Sequence, residues 1–286
     1  MASPLVRATH HADLFAVRRL YAWARRAFAN FGEEDLAGYV ASQGPLFGWV
    51  AEERGRLQGF LACSAKRAEW PEVRGILLAE AWPSDTFLPA LCERAAADLR
   101  GLGARGFVCL TSEEWVSTLL QRAGFRVEDQ VISLRWQGAW LAGLPPDDPS
   151  TRLRLAQGDD LAALITLDEA AFDPIWRLDR AGMSLYLVTT TRFAVAERDG
   201  VLAGYAVTDA RGSEAQIIRL AVHPTVQRQG LGRRLLTDAL AHALGEGAES
   251  VILNTQASNS ASQRLYHRLG FREFGKGLSV LVRRWR

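Results

Sequence analysis

Two stretches of this 286-residue chain repeat each other about half its length apart, and that duplication limits the fold more than any other feature. Val50-Ala-Glu-Glu-Arg-Gly-Arg-Leu-Gln-Gly-Phe60 aligns without gaps on Val195-Ala-Glu-Arg-Asp-Gly-Val-Leu-Ala-Gly-Tyr205, 145 residues on. Leu119-Leu-Gln-Arg-Ala-Gly-Phe-Arg126 aligns on Leu265-Tyr-His-Arg-Leu-Gly-Phe-Arg272 at a spacing of 146, and Asp13-Leu14 matches Asp160-Leu161 at 147. Three matches in the same order and at nearly one spacing imply two copies of the same domain. Between them lies Gly143-Leu-Pro-Pro-Asp-Asp-Pro-Ser150, whose prolines deny it a helix or a central strand. The boundary is placed there, giving domains over 1–142 and 151–286.

Composition narrows the class. At 48% hydrophobic and 23% charged the chain can bury a core. Its net charge of +2 creates no field that would draw it to nucleic acid or an anionic membrane. Its apolar runs fall short of the ~20 residues a bilayer span needs, and the N-terminus lacks a secretory signal. The three cysteines, Cys63, Cys92 and Cys109, are too few and too scattered for a disulfide framework or zinc site. A cytoplasmic protein without a structural metal, a monomer or a homodimer, is expected.

The second half shows its elements most clearly. Arg152–Leu155 reads as a strand, and a helix begins near Asp159-Asp160. Phe193–Glu197 and Leu202–Val207 form a hairpin about Asp199-Gly200. The β-branched run Gln216–Val222 ends at Pro224, and Arg233 to Leu244 carries an apolar helical stripe of Leu235, Leu236, Ala239, Leu240 and Ala243. Strand Ser250–Asn254, helix Ser260–Leu269 and a C-terminal pair of strands from Phe271 to Trp285 follow. This is an α/β arrangement, a mixed central sheet flanked by helices in each of two tandem domains.

The chemistry centres on the turn after Val222. In Gln227-Arg-Gln-Gly-Leu-Gly-Arg233, Gly230 and Gly232 remove Cβ atoms where a strand passes into a helix. The unpaired N–H groups and dipole of that helix start suit a phosphate or pyrophosphate, and Arg228, Arg233 and Arg234 add charge. A Walker-type loop would need Gly-Lys-Ser/Thr, and a dinucleotide fingerprint a third glycine; neither is present.

Gln-x-x-Gly-x-Gly at 227, 230 and 232, preceded by Arg-Leu-Ala-Val-His-Pro224, resembles the acyl-CoA signature of the GNAT acetyltransferases. Asn259-x-x-Ser262-x-x-Leu265-Tyr266-x-x-x-Gly270-Phe271 is similar to that family's second motif, with Ser262 where alanine is usual. The resemblance implies acetyl-CoA as co-substrate. By it, Leu220, Ala221 and Val222 offer backbone groups to the pantetheine arm on a strand that splays from its neighbour, and the Val222 N–H meets the thioester carbonyl. Gln227, Arg228, Gln229, Gly230, Leu231, Gly232 and Arg233 cradle the pyrophosphate, Asn254 and Asn259 bind the pantetheine or fix the cofactor's far side, and Tyr266 is the catalytic general acid for the departing thiolate. Taken alone, Tyr266 also reads as an amphipathic core residue on a helix.

The general base stays open among Glu214, His223 and a chain of waters, and Asp173 and Trp176, in the loop after the first helix, are expected to line the acceptor pocket instead. Arg219 is expected to face solvent or pair with an acid. In the first half, Ala79-Glu-Ala-Trp-Pro83 takes the place of Leu220–Pro224, no glycine follows, Glu113 replaces the asparagine and Leu120 the tyrosine, so residues 1–142 read as a degenerate copy. The function expected is acetyl transfer from acetyl-CoA to a primary amine of a small molecule or peptide, at one site in the second half. The alternative is an acyl-CoA-binding sensor without turnover.

Overall fold

In the computed structural model, described over residues 5–42, 46–64, 69–79, 84–138 and 150–285, the chain forms two compact units. One is Met1–Gln130 with Leu278–Arg286, the other Val131–Gly277. The first half supplies β1 (Leu5–Ala8), α1 (Leu14–Trp23), β2 (Arg26–Ala29), α2 (Leu36–Ala41), β3 (Leu46–Glu53), β4 (Arg56–Ser64), β5 (Glu72–Leu78), α3 (Ser84–Arg100), β6 (Gly106–Thr111), α4 (Glu114–Arg122) and β7 (Arg126–Trp136). The second supplies β8 (Thr151–Leu155), α5 (Leu161–Ala171), α6 (Arg180–Thr189), β9 (Arg192–Arg198), β10 (Val201–Asp209), β11 (Glu214–Val222), α7 (Leu231–Gly245), β12 (Ser250–Gln256), α8 (Ser260–Arg268) and β13 (Arg272–Arg284).

Each unit is a mixed sheet flanked by helices. In the first unit the strands run β1-β3-β4-β5-β6, and Ser279–Arg284 of β13 pairs antiparallel with β6. In the second they run β8-β9-β10-β11-β12, and Val131–Trp136 of β7 pairs antiparallel with β12. Each sheet is thus completed by a strand segment from the other half of the sequence. The division falls inside β7 and β13, which at 11 and 13 residues are long enough to serve both units. Residues 143–149 of the proline-rich segment lie outside the described residues.

Two expectations change. The C-terminal pair is one strand, β13, because the chain runs on through Gly275 at φ +69° instead of turning there. Helix α6, which the sequence pattern did not announce, is started by Asp179, whose Oδ1 accepts from the Gly182 N–H at 2.7 Å. The apolar stripe of α7 is buried as expected: Leu235, Leu236, Ala239, Leu240 and Ala243 all lie in the core.

The duplication extends to side-chain geometry. Arg7 on β1 holds Asp13 through two bonds of 2.7 and 2.8 Å, and also reaches Glu52. Arg154 on β8 holds Asp160 through bonds of the same two lengths, and also Glu197. Each aspartate accepts a backbone N–H at its helix start, from His10 and Gln157 respectively. The hairpins match too, with Arg54-Gly55 and Asp199-Gly200 both at positive φ, as a two-residue turn matching the strand twist requires.

In both clusters the arginine holds the aspartate carboxyl below its ordinary range. The ionised form is favoured in the fold, so this stability is present above the unfolded value near 3.8 and is lost as pH falls below it. Arg154→Met is expected to cost about 1–3 kcal/mol at pH 7, and its deficit relative to wild type should shrink as pH falls below the ordinary aspartate value near 3.8, as read by urea unfolding at pH 7 and in acid.

Candidate functional site

Strand β11 carries one residue too many. Val207 pairs with Arg219 but Thr208 pairs with Ile217, so Ile218 is a bulge in β11. Bulges bend the strand that holds them, and here the bend ends the parallel pairing with β12. That pairing runs from Glu214–Ser250 to Ile217–Leu253 and stops, although both strands continue. Beyond the bulge, among the described residues, β11 keeps only β10 as a strand neighbour.

The ladder fixes which peptide groups face the opening. His223 N–H donates to Ala203 O at 2.8 Å. In an antiparallel pair bonded residues alternate, so Ala221 bonds back to Tyr205 while Leu220 and Val222 point the other way. The Val222 carbonyl accepts Gln227 Nε2 at 3.0 Å. The Val222 N–H and both Leu220 groups remain directed into the opening. Of the three strand residues singled out by sequence, two therefore present backbone there and Ala221 is committed to the sheet.

The glycine turn closes one end of this opening. Gly230 caps α7 at φ +88° and Arg228 is at +61°, so the loop curls back before the helix begins. The N–H groups of Leu231, Gly232 and Arg233 precede the first intrahelical bond, Arg234 N–H to Gly230 O at 3.0 Å. Leu231 itself is buried and anchors the turn. Gly232 needs glycine for neither dihedral nor packing reasons: a Cβ there would lie at ordinary contact, 3.4 Å from Leu265 and 3.6 Å from Val222. The same distances show that the turn, β11 and α8 converge. Gln229 accepts a hydrogen bond from Arg198.

Asn254 and Asn259 hold local structure. Asn254 lies one residue past the last β11–β12 pair and its Oδ1 accepts from Ser133 Oγ at 2.8 Å. Asn259 caps α8, its Oδ1 accepting the Ser262 N–H at 3.1 Å. Tyr266 is 6% exposed, among Leu236, Leu240, Leu253 and Phe271. Burial pushes its phenol up to about 12, against a hydrogen bond with Ser262 that pulls the other way.

Among the candidate bases, Glu214 sits eight residues, about 26 Å of extended chain, before Val222 and is paired with Arg135 at 3.0 Å. His223 caps the turn Pro224–Val226, its Nδ1 facing Thr225 Oγ1 at 2.8 Å. Asp173 caps Pro174–Trp176 and accepts the Ile175 N–H.

One cluster went unread in the sequence. Arg219 grips Asp168 of α5 with two bonds, Nε to Oδ1 at 2.6 Å and a terminal nitrogen to Oδ2 at 2.9 Å. Tyr205 OH donates to the same carboxylate and accepts from Arg219 Nε at 2.9 Å. Asp168 and Tyr205 are fully buried. The arginine also donates to Trp176 O at 2.8 Å and lies 3.7 Å over the Phe172 ring, while Asp168 Oδ2 accepts the Leu178 N–H at 2.9 Å. No spacing links positions 168, 205 and 219; only folding brings them together. Arg219 is paired with an acid, as one of its two expected fates.

The profile of the Acetyltransferase (GNAT) family matches residues 161–271. Residues 161–271 are a GNAT-family acetyltransferase domain. A [ribosomal protein bS18]-alanine N-acetyltransferase of Escherichia coli is 40% identical over 76 residues, 27% of this chain and 51% of that protein. The chain thus spans about half the length of that relative. A mycothiol acetyltransferase of Acidothermus cellulolyticus is 28% identical over 263 residues, 79% of this chain and 76% of that protein. A tandem GNAT protein from the clavulanic acid biosynthesis pathway shares the fold end to end, with a TM-score of 0.61 at 16% identity, covering 99% of this chain and 98% of that one.

The first unit repeats the GNAT frame and fills its opening. Val73 and Gly75 of β5 face Cys63 and Ala62, so Arg74 is the bulge, and β5 meets β6 only at Glu72–Val108. Ala79 N–H donates to Gln58 O as His223 does to Ala203 O. Hence Ile76-Leu77-Leu78-Ala79 matches Leu220-Ala221-Val222-His223, and the equivalence drawn through Pro83 is out by three residues. The hairpin register, pinned by Gly59 and Gly204, decides it. Residues 80–83 lie outside the described residues. Along the freed edge of β5 runs β2, with Arg26 opposite Leu78 and Phe28 opposite Ile76, and Asn30 N–H donating to Arg74 O. The chain's own backbone takes the edge that β11 leaves open.

The two glycines of the turn should separate in stability. Gly230→Ala is expected to cost about 1–2 kcal/mol because its φ is left-handed. Gly232→Ala, at the second helical position, should be neutral or stabilising by up to about 1 kcal/mol. Thermal melts of the two variants check this.

Proposed function

We propose that the second unit transfers an acetyl group from acetyl-CoA to a primary amine of a small molecule or peptide. The observation that carries this is the juxtaposition of an unpaired β11 edge with a helix start whose second residue is glycine for no structural reason. A pantetheine arm contains amides and can pair with Leu220 and Val222 as an added strand. The diphosphate beyond it meets the N–H groups of Leu231, Gly232 and Arg233, with Arg228 alongside. Gln227 fixes the turn to Val222, and Gln229, Asn254 and Asn259 keep the surrounding loops in shape.

The chain's groups then supply orientation and charge. The Val222 N–H donates to the thioester oxygen, where negative charge builds as the amine attacks. The Tyr266 hydroxyl faces the departing sulfur. An alkyl thiol ionises near 8.5, well below about 12, where Tyr266 does. Full proton transfer from the phenol is uphill, so Tyr266 steadies the thiolate by a hydrogen bond. The attacking amine loses its proton to solvent: Glu214 is remote, and His223 and Asp173 serve as caps. The names of the relatives, a [ribosomal protein bS18]-alanine N-acetyltransferase and a mycothiol acetyltransferase, support acetyl transfer to a protein or small-molecule acceptor.

Calorimetry should show one acetyl-CoA bound per chain, since β2 fills the corresponding edge in the first unit. Gly232→Asp should keep the fold, because a carboxylate suits a helix start, yet weaken binding about a hundredfold by facing the diphosphate. No heat with acetyl-CoA in the wild type would refute the assignment. Tyr266→Phe should lower kcat by roughly tenfold to a hundredfold with acetyl-CoA affinity kept. Because its phenol stays protonated to about 12, the substitution should leave the pH profile below pH 10 unmoved. The assay is thiol release against a panel holding an alanine-initiated peptide, a cysteinyl amine and a polyamine. Tight binding with no turnover of any amine would point to a sensor.

A further inference from the structure

The two units pose a question. Both have a bulged strand leaving its parallel neighbour, yet in one the segment after the first helix pairs along the freed edge and in the other it does not. In the first unit that segment is β2, directly after α1, and it occupies the edge formed by Gly75–Leu78. In the second unit the segment after α5, residues 172–179, forms the short turn Pro174–Trp176 and a link to α6 instead. The preceding helices are matched. The link to the next helix is shorter here, 172–179 against 24–35, but β2 begins three residues after its helix and spans four, which residues 172–179 are long enough to repeat. The difference lies in what holds the segment.

What differs is the buried cluster. Asp168, Tyr205 and Arg219 correspond to Tyr21, Phe60 and Gly75 in the first unit, by the spacings of 147, 145 and 144 that the helices, hairpins and bulges fix. There the place of the guanidinium is taken by Phe31, whose ring packs so closely over Gly75 that a Cβ would come within 2.5 Å of it. Phe31 in turn stacks against Tyr39, with ring centroids 4.6 Å apart. The frame therefore folds with an apolar cluster at this point, and a buried ion pair is not needed for it. In the second unit the pair binds the segment at three places: Arg219 takes Trp176 O, Asp168 takes the Leu178 N–H, and Phe172 lies under the guanidinium. Those backbone groups are then unable to join a ladder with β11.

We infer that Asp168, Tyr205 and Arg219 are positioning residues that keep residues 172–179 off the open edge of β11, so that the slot stays free for its ligand. The claim rests on the reading of that slot as the acetyl-CoA site. Without the cluster the segment would fall onto Leu220 and Val222, as β2 lies on Ile76 and Leu78, and the chain would occlude its own site.

The test is amide hydrogen exchange of the intact protein together with calorimetry using acetyl-CoA. The triple variant Asp168→Leu, Tyr205→Phe, Arg219→Met replaces the cluster with apolar volume. The expected result is slower exchange at the Leu220 and Val222 amides without ligand, by about fivefold or more, with β9 and β10 amides unchanged and acetyl-CoA affinity down at least tenfold. A merely structural role would instead speed exchange in this region. Exchange at Leu220 and Val222 that is unchanged or faster overturns the proposal, as does a triple variant that does not fold, since the cluster would then serve the core. Tyr205→Phe alone removes one hydroxyl and should shift both readouts in the same direction by a smaller factor; a shift the other way also overturns it. A wild type that binds no acetyl-CoA would fail the acetyltransferase reading only, because the amides of Leu220 and Val222 still report where the segment lies.

Discussion

The structure turns on the unpaired edge of β11. A sheet pays for its backbone polar groups by pairing them, and a strand interior with one edge bare is an invitation to another strand. The bulge at Ile218 creates that edge at a fixed place, four residues before the strand ends at Val222 and the chain enters the glycine turn. The remaining features of the second unit, the helix start at Leu231, the Gln227 contact to Val222 and the approach of Leu265, are arranged about those few peptide groups.

The first unit shows the other way to satisfy such an edge. Its bulge at Arg74 leaves Ile76 and Leu78 unpaired on one side, and β2 takes them up. Once the edge is filled from within, no turn of glycines is required beside it, and the apolar cluster of Tyr21, Phe31 and Tyr39 can pack where the second unit keeps a charged pair. The duplicated Arg7–Asp13–Glu52 and Arg154–Asp160–Glu197 clusters show that the frame survived this divergence almost unchanged. Fold and site have separate supports: ion clusters at the sheet margin, which both units keep, and the β11 edge, which one unit exposes.

Much of this was legible in the residues because it depends on local chemistry. Hairpins at Arg54-Gly55 and Asp199-Gly200 follow from the positive φ their turns need, the α7 stripe from helical period, and the glycine turn from its place between strand and helix. The errors came where a local signal was outvoted. A pair of strands was expected between Phe271 and Trp285, yet β13 runs straight through because its far end pairs with β6. Pro83 suggested an alignment, yet strand register follows the hairpin opposite it, and a proline outside the ladder has no part in that.

By itself the sequence determined the duplication, the mixed α/β class, and a glycine-bearing turn from strand to helix, since each is written in spacings of a few residues or in one repeated pattern. Tertiary structure alone decided which peptide groups of β11 are free, that Arg219 meets Asp168 and Tyr205, and that strand segments cross from each half to complete the other unit's sheet. These depend on register and on contacts between residues 14 to 178 positions apart. Pairing of that kind is fixed by which edges and volumes remain once the whole chain is packed, a property no short stretch of residues carries.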